Sequence, residues 1–158
     1  MSRRKYGAGK FSKESYNKND KWGIDRITEF LKRKGFTIHD KEEEDYKVDI
    51  LAEKNGKLFH YEAEVKSGYP FTCVDDFKFP TVSFLGRKKK FHNNIEGGFY
   101  YCIVCKETEA ILYCHSSKIY NEDYRQLKTI NTKLRKGLDE FYLVPKEVCD
   151  FVEMKKEG

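Results

Sequence analysis

Between residues 61 and 66 the chain reads YEAEVK, in which Tyr61, Ala63 and Val65 alternate with Glu62, Glu64 and Lys66. A strand with this alternation carries core-type side chains on one face and two carboxylates with an ammonium on the other. Upstream, Asn55-Gly56 is a two-residue hairpin signal between two alternating segments. With that pair as the loop, Lys54 faces Lys57, Asp49 lies opposite Glu62, and Glu64 is diagonal to Asp49 with Lys66 continuing the row. Opposed residues have Cβ atoms about 4.5 to 5.5 Å apart and diagonal ones about 7 to 8 Å, so these carboxylates can converge on one cation. On the other face the same register pairs Val48 with Ala63 and Ile50 with Tyr61, an apolar row that Val65 extends. Like charges directly opposed are destabilising, so Asp49 facing Glu62 calls for a positive group between them, either a divalent metal or the Lys66 ammonium.

Asp49 followed by Glu64-x-Lys66, after a helix ending in LKRKGF and a short strand, resembles the PD-(D/E)xK nuclease superfamily over roughly residues 19 to 69. The resemblance implies a restriction-endonuclease-like fold, a central mixed β-sheet flanked by helices. It implies Asp49 and Glu64 as metal ligands, the Val65 carbonyl as a further ligand, and Lys66 as the residue that positions or helps deprotonate the attacking water. Many members add an acid from the preceding helix. Asp25 matches that place best by spacing, with Glu29 one turn later as its substitute. Glu62 is either an outer or extra metal group or an ordinary surface acid, because the motif needs only one acid per strand. The implied cofactor is Mg²⁺, with Mn²⁺ as a substitute. Mg²⁺ prefers hard oxygen ligands and keeps several waters, so two carboxylates and a carbonyl suffice for it. Hydrolysis of a phosphodiester needs an in-line water and charge stabilisation in the transition state, and a metal supplies both. The lysine cannot ligate the metal, but its ammonium can pair with the scissile phosphate.

The elements that must hold this row can be read on either side. Residues 1 to 17 are basic, glycine-containing and without period, which predicts a flexible arm before a single domain over residues 18 to 158. Ile24, Ile27, Phe30 and Leu31 predict a helix from about Asn19 to Lys34, closed by Lys32, Arg33 and Lys34 and by Gly35. FTIHD predicts a short strand, KEEED a connector, and TVSFLG a further strand that leads into GRKKK. GGFYYCIVC and AILYCH, separated by KETE, predict a second hairpin. Residues 121 to 140 are polar and basic, with Tyr120, Tyr124 and Leu127 at helical spacing. EFYLVP predicts a strand and PKEVCDFVEM a terminal helix with Pro145 in its first turn.

The chain has 158 residues, 39% apolar and 36% charged, and its twelve Phe and eleven Tyr supply core material that argues against disorder throughout. No apolar run reaches transmembrane length and no signal-peptide stretch opens the chain, which predicts a soluble, intracellular (cytoplasmic) protein without a membrane partner. Five cysteines are an odd number for a disulfide framework. Cys102, Cys105, Cys114 and His115 have zinc-ligand types, but a strand would turn Cys102 and Cys105 to opposite faces, which favours buried structural cysteines. The net charge is +5, with basic clusters that include Arg87, Lys88, Lys89 and Lys90, a pattern suited to a nucleic-acid backbone and also to ordinary solubility. The expectation is therefore an α/β (mixed α+β) fold and a Mg²⁺-dependent endonuclease that cuts double-stranded or branched DNA, as a homodimer of junction-resolving, phage or restriction type. The alternative is a nucleic-acid-binding module that keeps the nuclease fold without catalysis.

Overall fold

The structure is a computed structural model that describes residues 7–39, 48–131 and 136–152. It has the expected mixed α/β class. Helix α1 (Gly7–Arg33) is followed by β1 (Thr37–Ile38), β2 (Ile50–Lys54) and β3 (Lys57–Lys66). After a loop come β4 (Thr81–Leu85), a 3-10 turn over Gly86–Lys88, and α2 (Lys89–Asn94). Strands β5 (Tyr100–Cys105) and β6 (Ile111–His115), the short helix α3 (Ser116–Ile119), β7 (Arg125–Asn131), β8 (Lys136–Pro145) and β9 (Asp150–Val152) complete the described chain.

A six-stranded mixed sheet has the order β1-β2-β3-β5-β6-β9, and a three-stranded antiparallel sheet the order β4-β8-β7. From Ile50 opposite Tyr61 through Lys54 opposite Lys57 the hairpin register is the expected one, turned by Asn55 and Gly56 at φ 54° and 78°. The ladder stops short of Asp49 and Val48, however, and Val48 packs in the core cluster of the small sheet rather than beside Ala63. Two positive φ angles are what a tight hairpin with a right-handed twist requires, and Asn-Gly supplies them at low cost. Beyond the hairpin, β3 runs parallel to β5, and the intervening crossover carries β4 and α2. The second hairpin also forms as expected, β5 against β6 with Tyr100 opposite His115.

Alternation along β3 and β5 divides the core in two. Tyr61, Ala63, Cys102 and Val104 pack with Ile27, Phe30 and Leu31 of α1. Tyr101, Ile103 and Cys105 point the other way, into a cluster with Val82, Phe84, Tyr142 and Val144 of the small sheet. One face of the main sheet is thus covered by a helix, as expected of a mixed sheet flanked by helices, and the other mainly by a second sheet. Fully burying a side chain such as Ile27 or Leu31 is worth about 1.5 to 3 kcal/mol, so the α1 stripe fixes the helix to the sheet.

Gly23 is the point where α1 comes closest to β3. A Cβ there would lie 2.5 Å from Val65 Cγ2, a β-branched group with little rotamer freedom. Gly23→Ala should therefore cost about 1 kcal/mol net, overpacking exceeding the gain in helix propensity. Urea unfolding checks this, and an unchanged or raised midpoint would mean that the helix can stand off the sheet without loss.

Three expectations are corrected. Residues 7 to 17, read as an arm, continue α1 back to Gly7, while residues 1 to 6 lie outside the described chain. Lysines and a glutamate there favour helix once the packed half has nucleated it. Among the described residues the expected terminal helix gives way to a 3-10 turn over Lys146–Val148 and then to β9, which pairs with β6 at the sheet edge. Phe151 of β9 then joins Phe71 and Phe77 in an aromatic cluster, which an edge strand allows. The helical spacing of Tyr120, Tyr124 and Leu127 ends in a 3-10 turn at Glu122–Tyr124, and Leu127 lies in β7. KEEED and the turn between β7 and β8 fall outside the described residues. No helix among the described residues is long and apolar enough to cross a membrane.

Candidate functional site

Glu62, Glu64 and Lys66 project from β3 on the face that the small sheet covers, so they are not an open solvated surface. Glu62 is 7% exposed. Its carboxylate holds two partners: Lys88 Nζ donates to Oε1 at 2.6 Å, and the Asp49 backbone N–H donates to Oε2 at 3.3 Å. Asp49 answers with its own side chain, whose Oδ2 accepts from the Ala63 N–H at 2.9 Å. Strand β2 begins only at Ile50, since these side-chain bonds take over from the backbone ladder at Asp49. Asp49 is thereby held one residue away from Glu64.

The positive group that the Asp49–Glu62 juxtaposition demands is thus Lys88, 26 residues downstream of Glu62, in the turn after β4. Gly86 opens that turn and is buried against β8, where a Cβ would lie 2.7 Å from the Glu140 carbonyl oxygen. Only a glycine lets the chain turn there and deliver Lys88 inward. The Lys88 ammonium also sits 5.3 Å from the centre of the Tyr101 ring. Burial pushes the Glu62 carboxyl up to about 7 and nearby Asp49 adds to the rise, while Lys88 pulls against both.

Glu64 accepts a hydrogen bond at Oε1 from the Tyr101 hydroxyl. Burial and the Glu64 charge hold that phenol well above its usual range, so it stays a donor. The Leu85 N–H meets the same hydroxyl oxygen at 3.4 Å. Lys66 Nζ lies 4.0 Å from Glu64 Oε2 and donates to the Ser83 carbonyl at 3.0 Å, with 41% of its side chain exposed. Tyr101 and Ser83 therefore orient the two motif residues from behind.

A cleft of about 230 Å³ opens at Glu64, lined also by Asp20, Val65, Arg87 and Lys88 among others. The helix acid at the cleft is Asp20. Asp25 and Glu29 are elsewhere: Asp25 pairs with Lys21 at 3.2 Å, and Glu29 pairs with Arg26 and Arg33. Asp20 shares the α1 stripe of Gly23, Ile27, Phe30 and Leu31, and a carboxylate in phase with an apolar stripe was the sequence signal for it. Among the basic cluster, Arg87 and Lys88 line the cleft, whereas Lys89 pairs with Glu122 at 3.6 Å and Lys90 lies over Phe91.

Among the described residues, no group of three or more His, Cys, Asp or Glu is gathered as a metal cluster. The zinc-type set is dispersed. Cys102 lies in the α1 core, Cys105 and Cys114 in the other, and His115 Nε2 contacts the Gly97 carbonyl oxygen at 2.9 Å. The acids that line the cleft, Asp20 and Glu64, offer hard oxygens, and Asp49 stands next to it on the Ala63 N–H. That chemistry fits Mg²⁺ or Mn²⁺, which bind through one or two carboxylates and retain waters. Comparison with protein-family models, with curated proteins and with solved structures finds no match for this chain.

Proposed function

We propose that the protein is a metal-dependent nuclease of the PD-(D/E)xK type that hydrolyses phosphodiester bonds in DNA. One observation carries the reading: Glu64, with the Lys66 ammonium 4.0 Å from it, meets the α1 carboxylate Asp20 and the cations Arg87 and Lys88 at one cleft, and Asp49 is bonded to the neighbouring Ala63 N–H. Exposed decoration would not be fixed by a buried tyrosine and a backbone carbonyl from other strands.

In this reading Asp49 and Glu64 would hold a divalent cation, with Asp20 as the helix acid and the Val65 carbonyl as a further oxygen. The cation, when bound, acts as a Lewis acid on the phosphate and lowers the pKa of a water. Lys66, held near Glu64 by Ser83, offers its ammonium to the scissile phosphate. Arg87 and Lys88 at the cleft wall attract the backbone on either side. Tyr101 is a positioning residue, since its hydroxyl sets which Glu64 oxygen faces the cleft. Tyr101→Phe should lower cleavage by about ten- to a hundredfold, the range typical of outer-shell partners. It should cost only about 1 kcal/mol of stability. Undiminished cleavage would remove Tyr101 from the site.

The direct test is incubation with plasmid DNA and Mg²⁺ or Mn²⁺ beside Lys66→Ala. Cleavage that Lys66→Ala loses supports the proposal. Salt-dependent DNA binding with no metal-dependent cleavage would replace it with the non-catalytic binding module. Light scattering tests the proposed homodimer, in which two-fold symmetry would offer one site to each strand of a duplex.

A further inference from the structure

Beyond Lys66 the same surface opens into a second, larger cavity of about 510 Å³ between the two sheets. Lys66 and Ser83 belong to its wall, so the candidate catalytic row ends where this cavity begins. Its floor is apolar, with Ile103 and Leu112 of the main sheet and Val82 of the small one. Four aromatic rings line it, Tyr69, Phe71, Phe77 and Phe79, all from the loop between β3 and β4. The two at its mouth are the anomaly. Tyr69 is 59% exposed and Phe79 40%, and their rings meet edge to face at 5.1 Å.

The loop is built rather than loose. Asp76 caps it by accepting from the Thr72 N–H, the Thr72 hydroxyl and the Cys73 N–H, bonds that hold the Asp76 carboxyl down to about 2. Thr108 donates to the Phe71 carbonyl and Lys146 to that of Phe77. The charged side chains that line the cavity are the ammonium groups of Lys66 and Lys128, and Lys78 lies 5.0 Å from the centre of the Tyr69 ring, while the Glu107 carboxylate accepts from the Gly68 N–H beside it. A preformed slot with exposed rings, an apolar floor and ammonium groups at the rim matches a flat aromatic group attached to an anion.

We infer that this cavity takes an unpaired nucleobase from the strand whose phosphate lies at Lys66, so that the substrate class is nucleic acid with single-stranded or flipped-out nucleotides. The inference rests on the nuclease reading and narrows it. The base enters between Tyr69 and Phe79, while Lys66 serves both the base pocket and the phosphate. Fully paired duplex, whose bases remain stacked, leaves the pocket empty.

The test is binding by the full chain in EDTA, where no metal-dependent cutting occurs. The probes are a single strand, a paired duplex, and a duplex with one unpaired 2-aminopurine. The parent should bind the two unpaired substrates at least about tenfold more tightly than the paired duplex, with 2-aminopurine emission quenched by stacking. Tyr69→Ala and Phe79→Ala should each lose most of that preference while keeping duplex affinity and melting temperature. Phe79→Leu, which keeps apolar bulk without a ring, should lose the quench. Equal affinity of the parent for paired and unpaired substrates, unquenched emission, or full preference in the variants would overturn the inference. If the parent also cuts duplex plasmid, only the base pocket fails; if it neither binds nor cuts any nucleic acid, the nuclease reading fails with it.

Discussion

Glu64→Gln and Lys66→Ala should each reduce Mg²⁺-dependent plasmid cleavage by at least about a hundredfold, the scale on which loss of an electrostatic group at a reacting phosphate acts. Neither change should unfold the protein. Glutamine keeps an oxygen for the Tyr101 hydroxyl, so the buried donor remains satisfied and only the charge is lost. Lys66 gives up one bond to the Ser83 carbonyl from a side chain that is 41% exposed, a change worth about 1 kcal/mol or less. The two variants separate by a second measurement. Calorimetric titration with Mn²⁺ should show weakened binding in Glu64→Gln and near-parental binding in Lys66→Ala, since only the carboxylate ligates. On the helix, Asp20→Asn should lower cleavage while Asp25→Asn leaves it unchanged, because Asp20 lines the cleft and Asp25 pairs with Lys21 outside it. Full activity in Glu64→Gln, or full activity of the parent in excess chelator, would sink the catalytic reading.

Most of what positions Glu64 and Lys66 is local, and local physics is what a sequence displays. Asn55-Gly56 fixes the turn, the turn fixes the register, and just past its last pair Asp49 meets β3 through its N–H on Glu62 and its carboxylate on the Ala63 N–H. The YYCIVC and AILYCH hairpin is as readable, because its strands are buried on both faces and so read as unbroken apolar runs. The illegible parts depend on distant partners. The acidic row reads as an outer face until the small sheet is known to cover it, and nothing near Glu62 announces that Lys88 will return to it. Strand β7 has no alternation to reveal it: Leu127 is half exposed and its neighbours are polar. The end of the chain carries a valid helix-start signal at Pro145, which pairing of β9 with the open edge of β6 overrides. For the helix acid, spacing from Gly35 points to Asp25, whereas the phase set by Gly23 packing on Val65 points to Asp20.

Glu62, the acid that the motif does not require, should leave the clearest mark on stability. Its folded-state pKa is raised from an ordinary 4.5 to about 7, chiefly by burial. The folded protein therefore holds a proton that the unfolded chain releases between those values, and stability falls with rising pH across that window. The contribution is complete below about pH 4.5 and is lost as pH passes about 7, amounting to about 3 kcal/mol. Urea unfolding of the parent and Glu62→Gln across this range should give a difference that declines by that amount as pH rises, leaving the variant relatively more stable at pH 8. A flat or rising difference would refute the buried, proton-holding carboxyl. Lys88→Met supplies the reciprocal check. Lys88 pulls the Glu62 pKa down, so its removal should raise the carboxyl further, a shift readable by carbon NMR. The pair also ties stability to binding. Protonation of Glu62 below about pH 7 cancels the charge that neutralises Lys88 at the cleft wall, so affinity for a polyanion should rise on acidification in the parent and lose that dependence in Glu62→Gln.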